Sequence, residues 1–244
     1  MSFDDQKRLG ISGQILANAK TEGRAAFVGY LPVGFPDVPG SLEAMRAICE
    51  GTDGLGADLV EIGMPYSDPM MDGVTIQAAA ARALARGVRT RDIFAAAESV
   101  AAIGKRAVVM TYWNIIEQYG VKAFARDLLN AGGAGCVTPD LTPDEADDWF
   151  EASDEYGLDR IFLVAPASTD DRLKMTVASC RGWVYAASVM GVTGARDKSS
   201  DAAPGLVARA KAADPQLPVG VGLGVSNREQ ATKVAEYAEA VIVG

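Results

Sequence analysis

Eight short apolar segments, each separated from the next by a helix-like segment, constrain the fold of this chain more than any other feature of its sequence. The segments are short, apolar on both faces and rich in β-branched residues, as is typical of buried parallel strands. Alternation of strands and helices predicts right-handed βαβ units. Eight units predict an α/β fold, a parallel eight-stranded (β/α)8 TIM barrel, with an open doubly wound sheet as the alternative. The strands are predicted at residues 25–31, 58–62, 107–111, 135–139, 160–164, 183–187, 218–222 and 240–243.

The segments between these strands carry helix signals, and no linker or low-complexity stretch divides the chain. Capping boxes at residues 142–145 and 226–229 are expected to open two of the helices. We therefore expect one barrel domain over residues 1–244, with a short N-terminal helix at residues 13–22. The sequence stops at Gly244, directly after strand eight, so we expect the eighth helix to be absent from this chain. The remaining helices are predicted at residues 41–51, 75–86, 90–103, 119–131, 170–180 and 203–213.

The composition excludes several kinds of function. The net charge is −9 and no Lys/Arg-rich run occurs, which argues against binding to nucleic acids or anionic membranes. No apolar run approaches the roughly 20 residues of a membrane span, and the N-terminus lacks a signal-peptide core, so we expect a cytoplasmic protein. The absence of histidine excludes Ser-His-Asp and Cys-His catalysis and histidine-based zinc sites. The three cysteines are far apart in sequence and are interpreted as buried thiols.

Two carboxylates are the strongest candidates for acid–base chemistry: Glu61 in strand two and Asp72 in the loop that follows it. Strand alternation predicts that Glu61 points into the barrel near the carboxyl ends of the strands, where barrel enzymes bind substrate. Each carboxylate has a structural alternative. Glu61 could be a buried ion pair, for which Arg160 is the available partner, and Asp72 could cap the helix that begins near residue 75.

Glycine-rich turns follow strands six, seven and eight, at residues 191–194, at residues 220–226 and at Gly244. Backbone N–H groups at such turns bind anions without lysine, and barrels often hold phosphate after strands seven and eight. These turns therefore predict a phosphate site. Tyr30, Tyr112 and Tyr185 fall at or near the ends of strands one, three and six. They are candidates to line a pocket for a flat ring, and the alternative for each is a core aromatic.

With these residues in place, the chain resembles the alpha subunits of tryptophan synthase from about residue 27 to residue 244. The most specific piece is Glu-Ile-Gly-Met-Pro-Tyr-Ser-Asp-Pro at residues 61–69, followed by Asp72-Gly73. A second is Gly-Val-Thr-Gly at residues 191–194, downstream of Tyr185. The Gly-Leu-Gly sequence at residues 222–224 and the closing Val-Ile-Val-Gly also fit the family.

The resemblance implies retro-aldol cleavage of indole-3-glycerol phosphate to indole and glyceraldehyde 3-phosphate. It assigns Glu61 the transfer of protons between the glycerol hydroxyl and indole C3, and Asp72 the binding of the indole N–H. It implies that backbone N–H groups around Gly194, Gly224 and Gly244 hold the phosphate. The other substrate contacts implied by the resemblance are Tyr30, Tyr112, Leu163, Tyr185, Thr193, Gly222 and Leu223.

The resemblance also implies a partner, a tryptophan synthase beta subunit that carries pyridoxal phosphate and consumes the indole within an alpha2-beta2 tetramer. The alpha chain itself is expected to need no metal or cofactor. Loops 65–73 and 191–200 are candidates for relaying occupancy to the partner. Tyr30 stands where the family usually has Phe, and the family's phosphate-binding Ser would follow Gly244. The alternative functions are another phosphosugar-binding barrel enzyme and a non-catalytic regulatory subunit of a pyridoxal-phosphate enzyme.

Overall fold

The computed structural model describes residues 3–69, 71–187, 202–222 and 224–244. Its strands are β1 (Ala26–Pro32), β2 (Leu59–Gly63), β3 (Ala107–Met110), β4 (Gly135–Val137), β5 (Asp159–Ile161), β6 (Leu163–Val164), β7 (Val184–Ala187), β8 (Val219–Gly222) and β9 (Ala240–Val243). Its α-helices are α1 (Phe3–Thr21), α2 (Val38–Glu50), α3 (Val74–Ala85), α4 (Arg91–Ala101), α5 (Trp113–Tyr119), α6 (Val121–Asn130), α7 (Asp147–Tyr156), α8 (Asp170–Ser179), α9 (Ala203–Ala213) and α10 (Arg228–Ala235).

The strands form one parallel sheet in the order β5-β4-β3-β2-β1-β9-β8-β7-β6. The two end strands of this order are consecutive in the chain and are separated only by Phe162. The predicted fifth strand is therefore divided: its first half pairs with β4 and its second half pairs with β7. The sheet thus bends round into the predicted α/β barrel, and the described residues form nine strand segments where eight strands were predicted.

Side chains alternate between the two faces of each strand, as the sequence predicts for β2. Leu59 packs with Val28, Val108 and Ile242 inside the barrel. Val60 and Ile62 belong to the larger core between the strands and the surrounding helices. Glu61 therefore shares the inner face with Leu59, which places its carboxyl group inside the barrel.

Helix α1 covers the amino ends of the strands, where Leu16 and Ala19 pack into the inner core. Its helical geometry is broken at Gly10 (φ 55°, ψ −154°), and the buried Asp159 carboxylate accepts hydrogen bonds from the N–H groups that follow this break. Near the C-terminal end of α1, Lys20 pairs with Glu239 at 3.0 Å. Buried carboxylates at two strand starts thus hold the middle and the C-terminal end of the covering helix.

The helix predictions are confirmed in type, with differences at several ends. The N-terminal helix begins at Phe3, ten residues before the predicted start. Helix α5 was not predicted, because its seven residues carry little periodicity and end at Gly120 (φ +95°).

The two capping boxes behave differently from the prediction. The Thr142 hydroxyl bonds the Glu145 side chain instead of a backbone N–H, and the segment forms a short 3-10 helix before α7. At α10 the cap is Asn227, whose side chain accepts a hydrogen bond from Gln230 N at 2.9 Å. The second box is therefore displaced by one residue.

Two further expectations from the sequence concern the cysteines and membrane spans. All three cysteines, Cys49, Cys136 and Cys180, are free and buried, which confirms their interpretation as core thiols. In the described part of the chain, no helix is both long enough and apolar enough to cross a membrane.

Candidate active site

A cavity of about 460 Å³ opens at the carboxyl ends of the strands. Its wall combines the ends of β1, β2, β3, β7 and β9 with the loops after β2 and β8. The described wall residues include no lysine or arginine. They are Tyr30, Glu61, Met71, Asp72, Gly73, Val74, Thr75, Ile76, Met110, Tyr185, Gly224, Val225, Ser226, Ile242 and Gly244.

Glu61 is the most buried carboxyl group of this wall, with 1% of the residue exposed. Its Oε2 atom has no hydrogen-bond partner in the structure. Burial, followed by the nearby charge of Asp72, raises the pKa of Glu61 from 4.5 to about 8. The ion-pair alternative is not observed, because Arg160 bonds Asp154 and lies over the Phe150 ring instead. Glu61 is therefore a neutral acid at pH 7 with a free oxygen at the cavity.

Asp72 lies on the same wall, half-buried in the loop between β2 and α3. The N-cap position of α3 is Gly73, and no side chain caps this helix end. The side chain of Gln77 donates instead to the Asp72 carbonyl oxygen, at 2.8 Å. The helix-capping alternative is therefore not observed. Burial raises the pKa of the Asp72 carboxyl group above its usual range.

Two of the predicted tyrosines, Tyr30 and Tyr185, line the cavity. Each ring leans over a glycine of the next strand along the barrel. A Cβ atom at Gly63 would lie 2.2 Å from the Tyr30 hydroxyl oxygen, and one at Gly222 would lie 2.0 Å from that of Tyr185. These glycines provide the space in which the two phenol groups reach the cavity.

Tyr112 and Leu163 lie next to the described wall and do not form part of it. Tyr112 stacks on Tyr66 with ring centroids 4.5 Å apart, and its hydroxyl accepts a hydrogen bond from Met71 N. It therefore supports the loop that carries Asp72. Leu163 packs against the inner core beside β7. Their predicted contacts with substrate remain predictions.

The structure places two of the predicted phosphate residues, Gly224 and Gly244, together on the cavity wall. Gly224 has φ +99°, a left-handed conformation that favours glycine. Gly222 lies directly against the Tyr185 side chain and is not among the described wall residues. Thr193, Gly194 and Leu223 lie outside the described residues.

Several wall residues were missed in the sequence, and most of them are apolar. Met71, Ile76, Met110, Val225 and Ile242 carry no chemical signal, because apolar side chains look alike in a pocket and in a core. Strand alternation could have identified Met110 and Ile242 as inward-facing. Within the described ranges, no cluster of three or more acidic or cysteine side chains could hold a metal ion.

A buried carboxyl group beside a second carboxyl group, in an apolar cavity at the carboxyl ends of barrel strands, is typical of a barrel enzyme that acts on a small ligand. The family model of the tryptophan synthase alpha chain matches residues 16–244. This chain therefore belongs to the tryptophan synthase alpha chain family.

Similar proteins and solved structures agree with this assignment. The tryptophan synthase alpha chain of Mycobacterium marinum is 59% identical over 240 residues, which cover 98% of this chain and 87% of the relative. That of Mycobacterium tuberculosis H37Rv is 57% identical over 240 residues, which again cover 98% of this chain and 87% of the relative. A solved structure of M. tuberculosis tryptophan synthase matches at a TM-score of 0.91 and 57% identity, covering 96% of this chain and 88% of that one. A chain of the tryptophan synthase a2b2 complex from Pyrococcus furiosus matches at a TM-score of 0.81 and 35% identity, covering 90% of this chain and 87% of that one.

Proposed function

We propose that this chain cleaves indole-3-glycerol phosphate to indole and glyceraldehyde 3-phosphate by a retro-aldol reaction. The observation that carries the proposal is the buried Glu61 carboxyl group, which has a free oxygen and a raised pKa in the active-site cavity of an alpha-chain barrel. The enzyme is accordingly a carbon–carbon lyase of tryptophan biosynthesis. A cavity of about 460 Å³ suits a ligand of this size, since small-molecule pockets span roughly 300–1,000 Å³.

Glu61 is the proton carrier of the proposed reaction. As the neutral acid, it protonates C3 of the indole ring, which leaves Glu61 as a carboxylate and the ring as an iminium. The carboxylate then removes the proton of the hydroxyl next to the ring. As this C–O bond becomes the aldehyde C=O, the C–C bond to the ring breaks and its electron pair restores the aromatic indole. Glu61 ends as the acid, ready for the next turnover.

Asp72 stabilises the positive charge that develops on the ring nitrogen. Its carboxylate accepts a hydrogen bond from the indole N–H, which strengthens as the iminium forms, so the interaction favours the transition state over the ground state. The half-buried position of Asp72 supports this role, because the cavity wall around it contains apolar side chains such as Met71 and Ile76. An electrostatic contact is stronger in such an apolar environment than in water.

Backbone groups hold the phosphate in this proposal. The described wall offers no basic side chain, and its glycines Gly224 and Gly244 lie at the ends of β8 and β9. Backbone N–H groups at such turns bind phosphate without lysine or arginine. We also propose phosphate contacts for Thr193 and Gly194, and indole contacts for Tyr30, Tyr112, Leu163, Tyr185 and Leu223.

We further propose a beta-subunit partner in an alpha2-beta2 tetramer. The similarity to chains from tryptophan synthase structures supports this, including one described as an a2b2 complex. The partner would carry pyridoxal phosphate and use the indole released here, and this chain would contribute no cofactor of its own. Loop 65–73 carries Asp72 and rests on Tyr112, so it is our candidate for transmitting substrate occupancy to that partner.

The test is release of indole from indole-3-glycerol phosphate, measured with and without a beta subunit. Glu61→Gln should lower kcat by at least about 100-fold, the usual contribution of a general acid–base group. The matched control is Glu98→Gln on the exposed face of α4, which should retain the parent rate. Substantial turnover by Glu61→Gln would overturn the role of Glu61, and no turnover by the parent chain at any subunit ratio would overturn the proposed function.

A further inference from the structure

The Tyr30 side chain lies between the proposed phosphate site at Gly244 and the proposed proton carrier Glu61. In the pairing of β1 with β2, Tyr30 stands directly opposite Glu61. Its hydroxyl oxygen lies over Gly63, which follows Glu61 by two residues on the same face of β2. The base of the side chain lies on the opposite side, where a Cβ atom at Gly244 would be 3.0 Å from Tyr30 Cδ1. The ring therefore spans the distance from the proposed phosphate turn to the proposed proton carrier.

This position matches one part of the proposed substrate. The glycerol chain joins the phosphate to the indole ring, so in the proposed binding mode it passes from Gly244 towards Glu61. The Tyr30 ring runs beside this path, and its hydroxyl is at the Glu61 end. An aromatic ring without a hydroxyl would offer this part of the ligand only an apolar surface.

The Tyr30 hydroxyl is available for a ligand. No hydrogen bond joins it to any other residue that the structure describes. Burial, with smaller contributions from the charges of Asp72 and Glu61, raises the pKa of this phenol, so it remains an O–H donor at neutral pH. Its nearest carboxyl group on the facing strand, Glu61, likewise has an oxygen without a partner. A ligand hydroxyl placed between these two groups would satisfy both.

We propose that Tyr30 is a specificity-determining residue whose hydroxyl donates a hydrogen bond to a glycerol hydroxyl of the substrate beside Glu61. This inference rests on the proposed function and adds a recognition element to it. It assigns the phenol oxygen, and not only the ring face, to the ligand. The enzyme then distinguishes a hydroxylated side chain from a plain alkyl chain before the proton transfer begins.

The test compares Tyr30→Phe with the parent chain on two compounds, in the presence of the beta subunit. The first is indole-3-glycerol phosphate, and the second is indole-3-propyl phosphate, which keeps the ring and the phosphate but lacks both hydroxyls. Tyr30→Phe should lower kcat/KM for the first compound about three- to tenfold, the value of one neutral hydrogen bond. Its dissociation constant for the second should stay within about twofold of the parent value, because that ligand has no hydroxyl for Tyr30 to bind.

Tyr156→Phe on α7, outside the cavity wall, is the matched control and should behave as the parent with both compounds. An unchanged kcat/KM in Tyr30→Phe would overturn the inference. A similar loss with both compounds would also overturn it, since that result indicates a packing role for the phenol. Absence of cleavage by the parent chain would instead reject the proposed function, and this inference with it.

Discussion

The phenol oxygen of Tyr185 occupies the space that a side chain at Gly222 would need, since the two positions are 2.0 Å apart. The residues belong to neighbouring strands: Tyr185 of β7 pairs with Gly220 of β8, and Gly222 lies two residues further along β8, opposite Ala187. Tyr185 is buried, so its ring has little room to move away. The glycine therefore determines where one wall of the cavity lies.

Gly222→Ala should destabilise the barrel and impair cleavage, because one added methyl group meets a fixed ring. Overpacking of this kind costs about 1–3 kcal/mol of the free energy of unfolding. Urea unfolding measures the change. Gly205→Ala in α9 is the matched control: a Cβ atom there meets no other atom, so it should be neutral or slightly stabilising. Combining Gly222→Ala with Tyr185→Leu should cost less than the sum of the two changes, and strict additivity would contradict the proposed clash.

Glu61→Gln should stabilise the protein increasingly as the pH rises. Glu61 titrates near 4.5 in an unfolded chain and near 8 in the folded one. Between these values the native state holds a proton that the unfolded chain has lost, so raising the pH lowers the free energy of unfolding. The variant lacks this titration. Its stability advantage over the parent should therefore grow by on the order of 2–4 kcal/mol between pH 5 and pH 8.

Chemical denaturation at several pH values measures this difference, and Glu98→Gln supplies a reference with an exposed side chain. A stability difference that does not change over this range would show that Glu61 does not carry a raised pKa.

The cleavage rate should fall on the alkaline side as Glu61 loses its proton. The reaction begins with proton donation by the neutral acid, so kcat/KM should decrease as the pH rises through about 8. Asp72 contributes to the raised pKa through its charge, although burial is the larger cause. In Asp72→Asn, the residual activity should therefore decline at a lower pH than in the parent. Steady-state rates from pH 6 to pH 10 measure both effects, and a rate independent of pH above 7 would argue against Glu61 as the acid.

Ser12→Ala should loosen the helix that covers the amino ends of the strands. The Ser12 N–H and hydroxyl each donate to Asp159 Oδ2 at 2.6 Å, within a buried site. Loss of the hydroxyl removes one hydrogen bond to a buried carboxyl group, which costs about 1–3 kcal/mol. Thermal or urea unfolding measures this cost. Thr21→Ala, at the exposed end of the same helix, should change stability by less than about 0.5 kcal/mol.

The sequence correctly predicted the features that depend on the side-chain pattern of individual strands. The inward position of Glu61 follows from alternation along β2, and the barrel follows from the repeat of apolar strands. Contacts between distant segments left no local signal. The division of the fifth strand at Phe162 depends on which neighbour each half meets. The close fit of Tyr185 on Gly222 likewise depends on the pairing of β7 with β8, whose partner residues are 35 positions apart in the sequence, and Gly222 alone does not reveal it.

The division at Phe162 has a consequence for how the protein behaves in solution. An open sheet has two outer strands whose unpaired N–H and C=O groups can recruit the strands of other molecules. Here the two outer members of the strand order, β5 and β6, are halves of one continuous stretch. This stretch pairs with β4 through β5 and with β7 through β6, so it closes the sheet on itself. Among the described strands, the closed order therefore leaves almost no edge for intermolecular β-sheet growth, and we expect aggregation to start from chains in which this closure has been lost.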